Sequence, residues 1–179
     1  VNDYVRVSDP GTGSILDFGN GSGITITAWA NTKSTSTVLR FPYIVSKGRT
    51  GSDTATNQNY GLRLNELTAD TADVNFIYRN SADTAWNRWA STITIRQNSG
   101  WHHVAFAYTF GTAASAIAYI DGVSSSGTWN LGTGNDAPFQ DNDAHWIGSS
   151  LANTYLSNFL GGLDDVRVYN RALSADEIK

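Results

Sequence analysis

Short segments in which apolar and polar residues alternate, separated by loops rich in Gly, Asn, Ser and Thr, run along almost the whole chain. Alternation of this kind predicts β-strands with one face buried and the other facing water. The predicted strands are residues 3–7, 24–29, 43–46, 60–65, 74–79, 91–96, 101–110, 116–121, 145–149 and 163–169. Many short strands with turns between them predict two antiparallel sheets packed face to face.

A helical signal follows the last predicted strand. Ser174 with Glu177 three residues later has the spacing of a capping box, which marks the start of a helix. We therefore predict an all-β fold, a two-sheet antiparallel β-sandwich (jelly roll) with a short C-terminal helical turn. Because 179 residues are enough for one large β domain with its own core, residues 1–179 are predicted to form a single domain.

The charge and the apolar content argue against several classes of partner. A net charge of −4 and a pI of about 5.1 argue against binding to nucleic acid or to anionic membranes. No apolar run approaches the roughly 18–20 residues of a membrane span, so we expect no membrane insertion. The low lysine content, the excess of Asp over Glu and the lack of methionine lead us to expect part of a longer secreted or cell-surface bacterial protein with neighbouring domains.

The last nineteen residues, GGLDDVRVYNRALSADEIK, join an alternating strand directly to the predicted helix. This ending resembles the closing segment of laminin-G-like jelly-roll domains in the concanavalin A-like lectin/glucanase superfamily. The segments ITITAWAN, YIVSKG, YGLRLN, GWHHVAFAY, AYIDG and HWIGSS match further parts of the family pattern, in the same order. The resemblance covers nearly the whole chain and implies the sandwich fold, but it does not imply one ligand.

Domains of this kind bind glycans, bind proteins at cell surfaces, or cleave polysaccharides. Glycosidases need two carboxylates that flank the scissile bond, yet this chain has two glutamates, Glu66 and Glu177, and no predicted strand carries acids two positions apart. Cysteine and the G-x-S-x-G motif are absent. We therefore expect a non-catalytic carbohydrate-binding module, and neither a glycosidase nor a polysaccharide lyase.

The alternative function is a protein-binding domain for cell-surface adhesion. A protein interface should show a wide exposed aromatic patch with a polar rim. A glycan site should show a narrow groove with one or two stacked rings. The sequence leaves both functions open.

The tryptophans divide into two groups. Trp29 and Trp101 lie on strands that match the family's core strands, so the resemblance implies that they pack inside the sandwich. Trp86, Trp89 and Trp129 lie in polar segments, where a large ring either plugs one end of the sandwich or forms a platform on which a sugar stacks. These three are candidate ligand-binding residues.

Polar side chains supply two further groups of candidates. Arg63, Asn75 and Arg79 alternate with buried-type residues, so they are predicted to lie on the opposite, ligand-facing side of their sheet. The segment 135–143 is rich in carboxylates and amides and contributes Asn135, Asp141 and Asn142 as candidates. Such a segment suits sugar hydroxyls and Ca²⁺ alike, and it is equally consistent with a solvated acidic loop.

The resemblance also implies a structural calcium ion between the two ends of the chain. Asp164 matches an aspartate of the family's closing strand, and Asn2, Asp3 and the backbone carbonyl of Gly21 are predicted as its companions. Such a site would fasten the first strand to the last. The alternative is that Asp164 accepts only a backbone hydrogen bond at the start of its strand.

Overall fold

Two antiparallel β-sheets pack face to face in the computed structural model, which describes residues 3–34, 40–49, 57–150 and 157–178. The seven-stranded sheet has the strand order β1-β11-β3-β4-β5-β6-β10, and the five-stranded sheet has the order β12-β2-β7-β8-β9. The prediction of an all-β two-sheet sandwich is confirmed. Among the described residues, no helix combines the length and the apolarity needed to cross a membrane.

The strands range in length from three to eleven residues. Those of the seven-stranded sheet are β1 (Val5–Val7), β3 (Tyr43–Gly48), β4 (Gln58–Glu66), β5 (Thr71–Arg79), β6 (Trp86–Arg96), β10 (Gly127–Leu131) and β11 (His145–Ile147). Those of the five-stranded sheet are β2 (Gly23–Thr32), β7 (His102–Thr109), β8 (Ile117–Ile120), β9 (Val123–Ser125) and β12 (Gly161–Tyr169). One turn of 3-10 helix covers Ala113–Ser115, and helix α1 covers Ala175–Ile178.

Aromatic side chains join the two sheets in the core. Phe76 of β5 stacks on Phe106 of β7 with ring centroids 4.5 Å apart, and Trp89 of β6 lies 5.1 Å from the same ring. Aromatic pairs at these separations add to the free energy gained by burying apolar surface. Contacts of β5 and β6 with β7 therefore help to hold the two sheets together.

The C-terminal segment covers half of the outer face of the five-stranded sheet. One half of the predicted capping box is present, because Glu177 Oε2 accepts the backbone N–H of Ser174 at 3.0 Å. The Ser174 hydroxyl donates to the same oxygen at 3.0 Å, and the Glu177 N–H bonds to the Ser174 carbonyl and not to the hydroxyl. Leu173 and Ile178 pack against Ala105, whose small side chain allows close contact with the sheet. The other half of this face has no such cover among the described residues.

A buried ammonium group ties three loops together at one end of the sandwich. Lys47 Nζ lies 2.8 Å from Asp9 Oδ2 and 3.0 Å from Asp17 Oδ1, and it donates a hydrogen bond to the backbone carbonyl of Asp141. The side chains of Lys47 and Asp9 are fully buried. A buried charge with good partners is tolerated, but it becomes costly when one partner is removed.

Replacing Lys47 should destabilise the fold strongly, since Asp9 and Asp17 would be left buried without a counter-charge. We expect Lys47→Met to lower the free energy of unfolding by about 3–5 kcal/mol in urea titrations. Lys33→Met, at an exposed lysine, is the matched control and should change it by less than about 0.5 kcal/mol. Equal stability of the two variants would contradict this role of Lys47.

His145, opposite Lys47 in the pairing of β11 with β3, is also buried. Burial, together with the charge of Lys47, lowers the pKa of His145 to about 4. The unfolded chain has an ordinary histidine pKa of about 6.5. Between these two pH values the unfolded state binds a proton that the folded state does not, so stability is full above about pH 6.5 and falls as the pH drops.

The free energy of unfolding should therefore fall by about 3 kcal/mol through His145 alone between pH 6.5 and pH 4. His145→Gln removes this contribution and should make the pH dependence shallower by a similar amount. Urea titrations of both proteins at several pH values between about 7 and 4 measure the difference. The same pH dependence in both proteins would contradict the buried, neutral state of His145.

Candidate functional site

An exposed tryptophan stands on the uncovered half of the outer face of the five-stranded sheet. In β2, Ala28 and Ala30 point into the core, whereas Trp29 between them is 42% exposed. Trp29 pairs with His103 of β7, and the two rings lie 5.5 Å apart. The prediction that Trp29 packs inside the sandwich is wrong, because strand alternation turns it outward.

A second tryptophan lies on the same face. Trp101 precedes His103 by two residues and is 49% exposed, so its predicted place in the core is wrong as well. Its ring lies across Gly162 of β12, where a Cβ atom would lie 2.8 Å from Cη2 of the indole. Gly162 pairs with Asn31, two residues beyond Trp29 along β2. The two exposed indoles therefore lie on the same face, Trp29 on β2 and Trp101 directly before the neighbouring strand β7.

A groove of about 680 Å³ begins at Trp29 and runs to the C-terminal segment. Its floor is formed by Thr27, Trp29 and His103. The turn between β8 and β9, strand β12 and the C-terminal segment surround this floor. The turn contributes Asp121, Gly122 and Val123; β12 contributes Asp165, Arg167 and Tyr169; the C-terminal segment contributes Leu173, Glu177 and Ile178. The groove therefore offers an apolar ring together with carboxylate, guanidinium and hydroxyl groups.

An irregularity in β12 places two of these charged groups. The register of β12 against β2 shifts between Asp164 and Arg167, and Asp165 has a φ of 48°. Aspartate is one of the few residues that adopt this left-handed conformation readily. Asp165 and Arg167 form a bidentate ion pair, with Oδ1–Nε and Oδ2–Nη2 both at 2.8 Å. The guanidinium at the groove is thus already neutralised.

Asp121 lies on the opposite side of the groove, in the predicted hairpin turn. Its Oδ1 accepts a hydrogen bond from the backbone N–H of His103 at 2.9 Å, and its Oδ2 lies 2.7 Å from Nδ1 of His102. Nε2 of His102 lies in turn 2.7 Å from the hydroxyl of Ser99. These contacts have the spacing of a serine–histidine–aspartate triad.

The proton on the Ser99 hydroxyl argues against a catalytic role for this triad. Ser99 Oγ also lies 2.6 Å from the backbone carbonyl of Arg96, which only accepts hydrogen bonds. The hydroxyl has one proton, and this carbonyl competes with Nε2 of His102 for it, because a carbonyl oxygen only accepts. A nucleophilic serine must donate that proton to the imidazole. The chain of contacts therefore fastens the turn of Asp121 to the loop before β7.

The three predicted polar residues of the seven-stranded sheet are buried. Arg63, Asn75 and Arg79 lie on its outer face, as their alternation predicts, but they are only 6%, 1% and 5% exposed. The Arg63 guanidinium lies over the rings of Phe41 and Tyr43, at 4.7 and 5.7 Å from their centroids. Burial lowers the pKa of Arg63 from its ordinary value. These side chains therefore lie on the predicted face of the sheet but are not open to solvent, and ligand binding by them stays a prediction.

The three predicted loop tryptophans are not on loops. Trp89 in β6 is 2% exposed and packs in the core, so its prediction as a ligand platform is wrong. Trp129 in β10 packs edge-to-face on Tyr78 and donates from Nε1 to the Ala113 carbonyl at 3.2 Å, which makes it a plug. Trp86 is half-buried beneath the guanidinium of Arg79, 4.9 Å from its ring centroid.

The acidic segment 135–143 anchors neighbouring loops. Asp141 accepts hydrogen bonds from the side-chain amide of Asn57 and the backbone N–H of Asp143, both at 3.0 Å, besides the bond from Lys47. Asn135 is exposed, and its side chain accepts a hydrogen bond from the Ala113 N–H at 3.1 Å. Asp141 therefore has a structural role.

Asn142, the remaining candidate of this segment, is exposed. Its Oδ1 accepts a hydrogen bond from the Thr12 hydroxyl at 3.4 Å. Neither Asn135 nor Asn142 lines the groove at Trp29. Ligand binding by these two amides stays a prediction.

The predicted calcium ligands do not converge on one point. Asp164 pairs with Trp29, whereas Gly21 precedes the far end of β2, where Gly23 pairs with Thr109. Six residues of strand separate Gly23 from Trp29, which is about 20 Å. Gly21 therefore cannot share an ion with Asp164, and that part of the prediction is wrong. Asn2 lies outside the described residues.

Two of the predicted calcium ligands remain close to the junction of the chain ends. Asp3 lines a smaller groove of about 360 Å³ together with Leu163, the residue before Asp164. Asp164 Oδ1 accepts the backbone N–H of Asp165 at 2.8 Å, as the alternative interpretation expects. Within the described ranges, no group of three or more His, Asp or Glu side chains is arranged to hold a metal ion.

Solved structures with similar folds include a carbohydrate-binding module, a domain of a phage tailspike protein and the binding domain of a neurotoxin. The sialidase carbohydrate-binding module CBM40 of Ruminococcus gnavus, bound to α2,3 sialyllactose, is 17% identical with a TM-score of 0.57, covering 98% of this chain and 94% of that one. The enzymatically active domain of tailspike protein 2 from bacteriophage CBA120 is 15% identical with a TM-score of 0.58, covering 99% of this chain but 29% of that one. The binding domain of botulinum neurotoxin serotype D/C is 12% identical with a TM-score of 0.52, covering 88% of this chain and 35% of that one.

These identities establish a shared fold, and no curated protein matches the chain by sequence. The family comparison is more direct. The Laminin_G_3 family, described as belonging to the concanavalin A-like lectin/glucanases superfamily, matches residues 1–179. The sequence resemblance is thereby confirmed, and this chain belongs to the laminin-G-like family of the concanavalin A-like lectin/glucanase superfamily.

Proposed function

We propose that this domain binds a glycan chain without cleaving it, on the outer face of the five-stranded sheet. The observation that carries the proposal is a pair of exposed indoles on this face, Trp29 in the lining of the groove and Trp101 outside it. A sugar ring has an apolar C–H face that stacks on an indole, and its hydroxyls need polar partners nearby. Both requirements are met at Trp29.

The shape of the surface favours a glycan over a protein. A groove of about 680 Å³ that offers one exposed indole beside carboxylate, guanidinium and hydroxyl groups suits a stacked sugar ring, whereas a protein interface needs about 800 Å² on each partner. The backbone beneath the rings is a sheet, which holds them without a cost in ordering loops. The similarity in fold to a carbohydrate-binding module supports the same conclusion.

The carboxyl group of Glu177, which lines the groove, supports binding without catalysis. Glycoside hydrolysis needs one carboxylic acid that keeps its proton near neutral pH, and hence a raised pKa. The backbone N–H of Ser174 and the guanidinium of Arg171 instead lower the pKa of Glu177. Burial raises the pKa of Glu66 and Asp73, but neither of these residues lines the groove.

Trp29→Ala and Trp101→Ala should each weaken glycan binding by about 1–3 kcal/mol, by analogy with the stacking of nucleic-acid bases on aromatic rings. The ligand is first identified on a glycan array, and affinities are then measured by calorimetry. Melting temperatures should change little, because both side chains are largely exposed. Ile93→Ala, at an exposed apolar residue outside the groove, is the control and should leave binding unchanged.

Two outcomes would contradict the proposal. The first is binding that is lost in Trp86→Ala and kept in Trp29→Ala, which would place the site on the seven-stranded sheet. The second is steady release of reducing ends or unsaturated products from the bound polysaccharide by the repurified domain, which would make the protein an enzyme.

We further propose that Asp3 and Asp164 contribute to calcium binding at the junction of the first and last strands. An ion that binds only the folded state raises stability, by about 2.7 kcal/mol at a hundredfold excess over Kd. EDTA should then lower the melting temperature of the native protein and leave that of Asp164→Ala unchanged. Equal melting of the native protein in EDTA and in calcium would overturn this proposal. The secreted, bacterial location expected from the composition stays a prediction.

A further inference from the structure

The side chains that line the Trp29 groove carry more negative than positive charge. Asp121, Asp165 and Glu177 line the groove against a single guanidinium, that of Arg167. Burial lowers the pKa of His103, so this ring adds no charge near neutral pH. Three carboxylates against one guanidinium leave the lining with a formal charge of −2.

The cations at the groove are already occupied by the protein's own carboxylates. Arg167 makes two contacts of 2.8 Å with Asp165. Arg171, which lies outside the lining and is not counted in its charge, contacts both carboxylate oxygens of Glu177, at 2.8 and 2.9 Å. A ligand carboxylate would have to displace one of these pairs, and it would then lie beside the carboxylates that line the groove. Among the described residues of the groove, no guanidinium is left for an acidic sugar.

We propose that this surface selects uncharged or amino-bearing glycans and rejects acidic ones. The inference rests on the proposed function, since it names the class of glycan that the same site accepts. The indole of Trp29 supplies stacking that does not depend on charge. The carboxylates of Asp121 and Asp165 accept hydrogen bonds from sugar hydroxyls and attract a protonated amine.

The Asp165–Arg167 pair is the element that sets this preference. Asp165→Asn removes the carboxylate and leaves the Arg167 guanidinium without its ion-pair partner, and asparagine tolerates the φ of 48° at this position. The variant should therefore accept acidic glycans that the native protein rejects. Asp70→Asn, in the exposed turn between β4 and β5, is the matched control, because it changes the net charge equally and leaves the groove intact.

A glycan array with neutral oligosaccharides, glucosamine oligomers and oligosaccharides bearing uronic or sialic acid tests the proposal on the whole chain. Binding that depends on Trp29 should be confined to the first two groups. Raising the salt concentration from about 0.05 to about 0.5 M should weaken binding of the glucosamine oligomers several-fold and leave the neutral ones unchanged. Asp165→Asn should gain affinity for acidic glycans by about tenfold, and Asp70→Asn should not.

The outcomes separate this inference from the proposed function. Acidic glycans that bind the native protein through Trp29 would overturn the charge selection and leave glycan binding in place. An Asp165→Asn variant that rejects acidic glycans as strongly as the Asp70→Asn control would overturn the role of the ion pair. A chain that binds no glycan through Trp29 would overturn the proposed function, and this inference with it.

Discussion

The pairing of β12 with β2 is the interaction on which the candidate site depends. At one end of this ladder, the Thr25 hydroxyl donates to the Arg171 carbonyl at 2.8 Å and accepts from the Leu173 N–H at 2.9 Å, which turns the chain onto the sheet. At the other end, the register shift after Asp164 sets the charged side of the groove. The pairing of β12 with β2 therefore places the C-terminal segment over part of the outer face of the five-stranded sheet. Trp29 stays exposed beside it.

The two ends of the sandwich differ in the charged groups that they contain. At one end a fixed positive charge of the chain itself, Lys47, gathers the carboxylates of Asp9 and Asp17. At the junction of Asp3 with β12, the described side chains form no comparable cluster. The ammonium group of Lys47 is part of the chain and needs no external ion to neutralise these carboxylates. The proposed calcium ion concerns the opposite junction.

The fold could be predicted because apolar alternation marks most strands, and the site was missed for two physical reasons. In ITITAW, Trp29 is in phase with Thr25 and Thr27, so alternation alone places it outward. The resemblance to core strands gave the opposite answer. In β6, by contrast, Asn87 points inward and its side chain accepts the N–H groups of Thr133 and Gly134, at 3.1 and 2.9 Å. A buried polar residue of this kind breaks the alternation, which hid the strand that carries Trp89.

The most direct test of the account is a heteronuclear NMR titration that follows the indole N–H signals of the six tryptophans as glycan is added. Binding on the outer face of the five-stranded sheet should shift the signals of Trp29 and Trp101 with the same binding curve. The chemical shifts of the buried Trp89 and Trp146 should not change. Shifts confined to Trp86 or Trp129, with Trp29 and Trp101 unchanged, would contradict it. Such a result would move the glycan to the seven-stranded sheet.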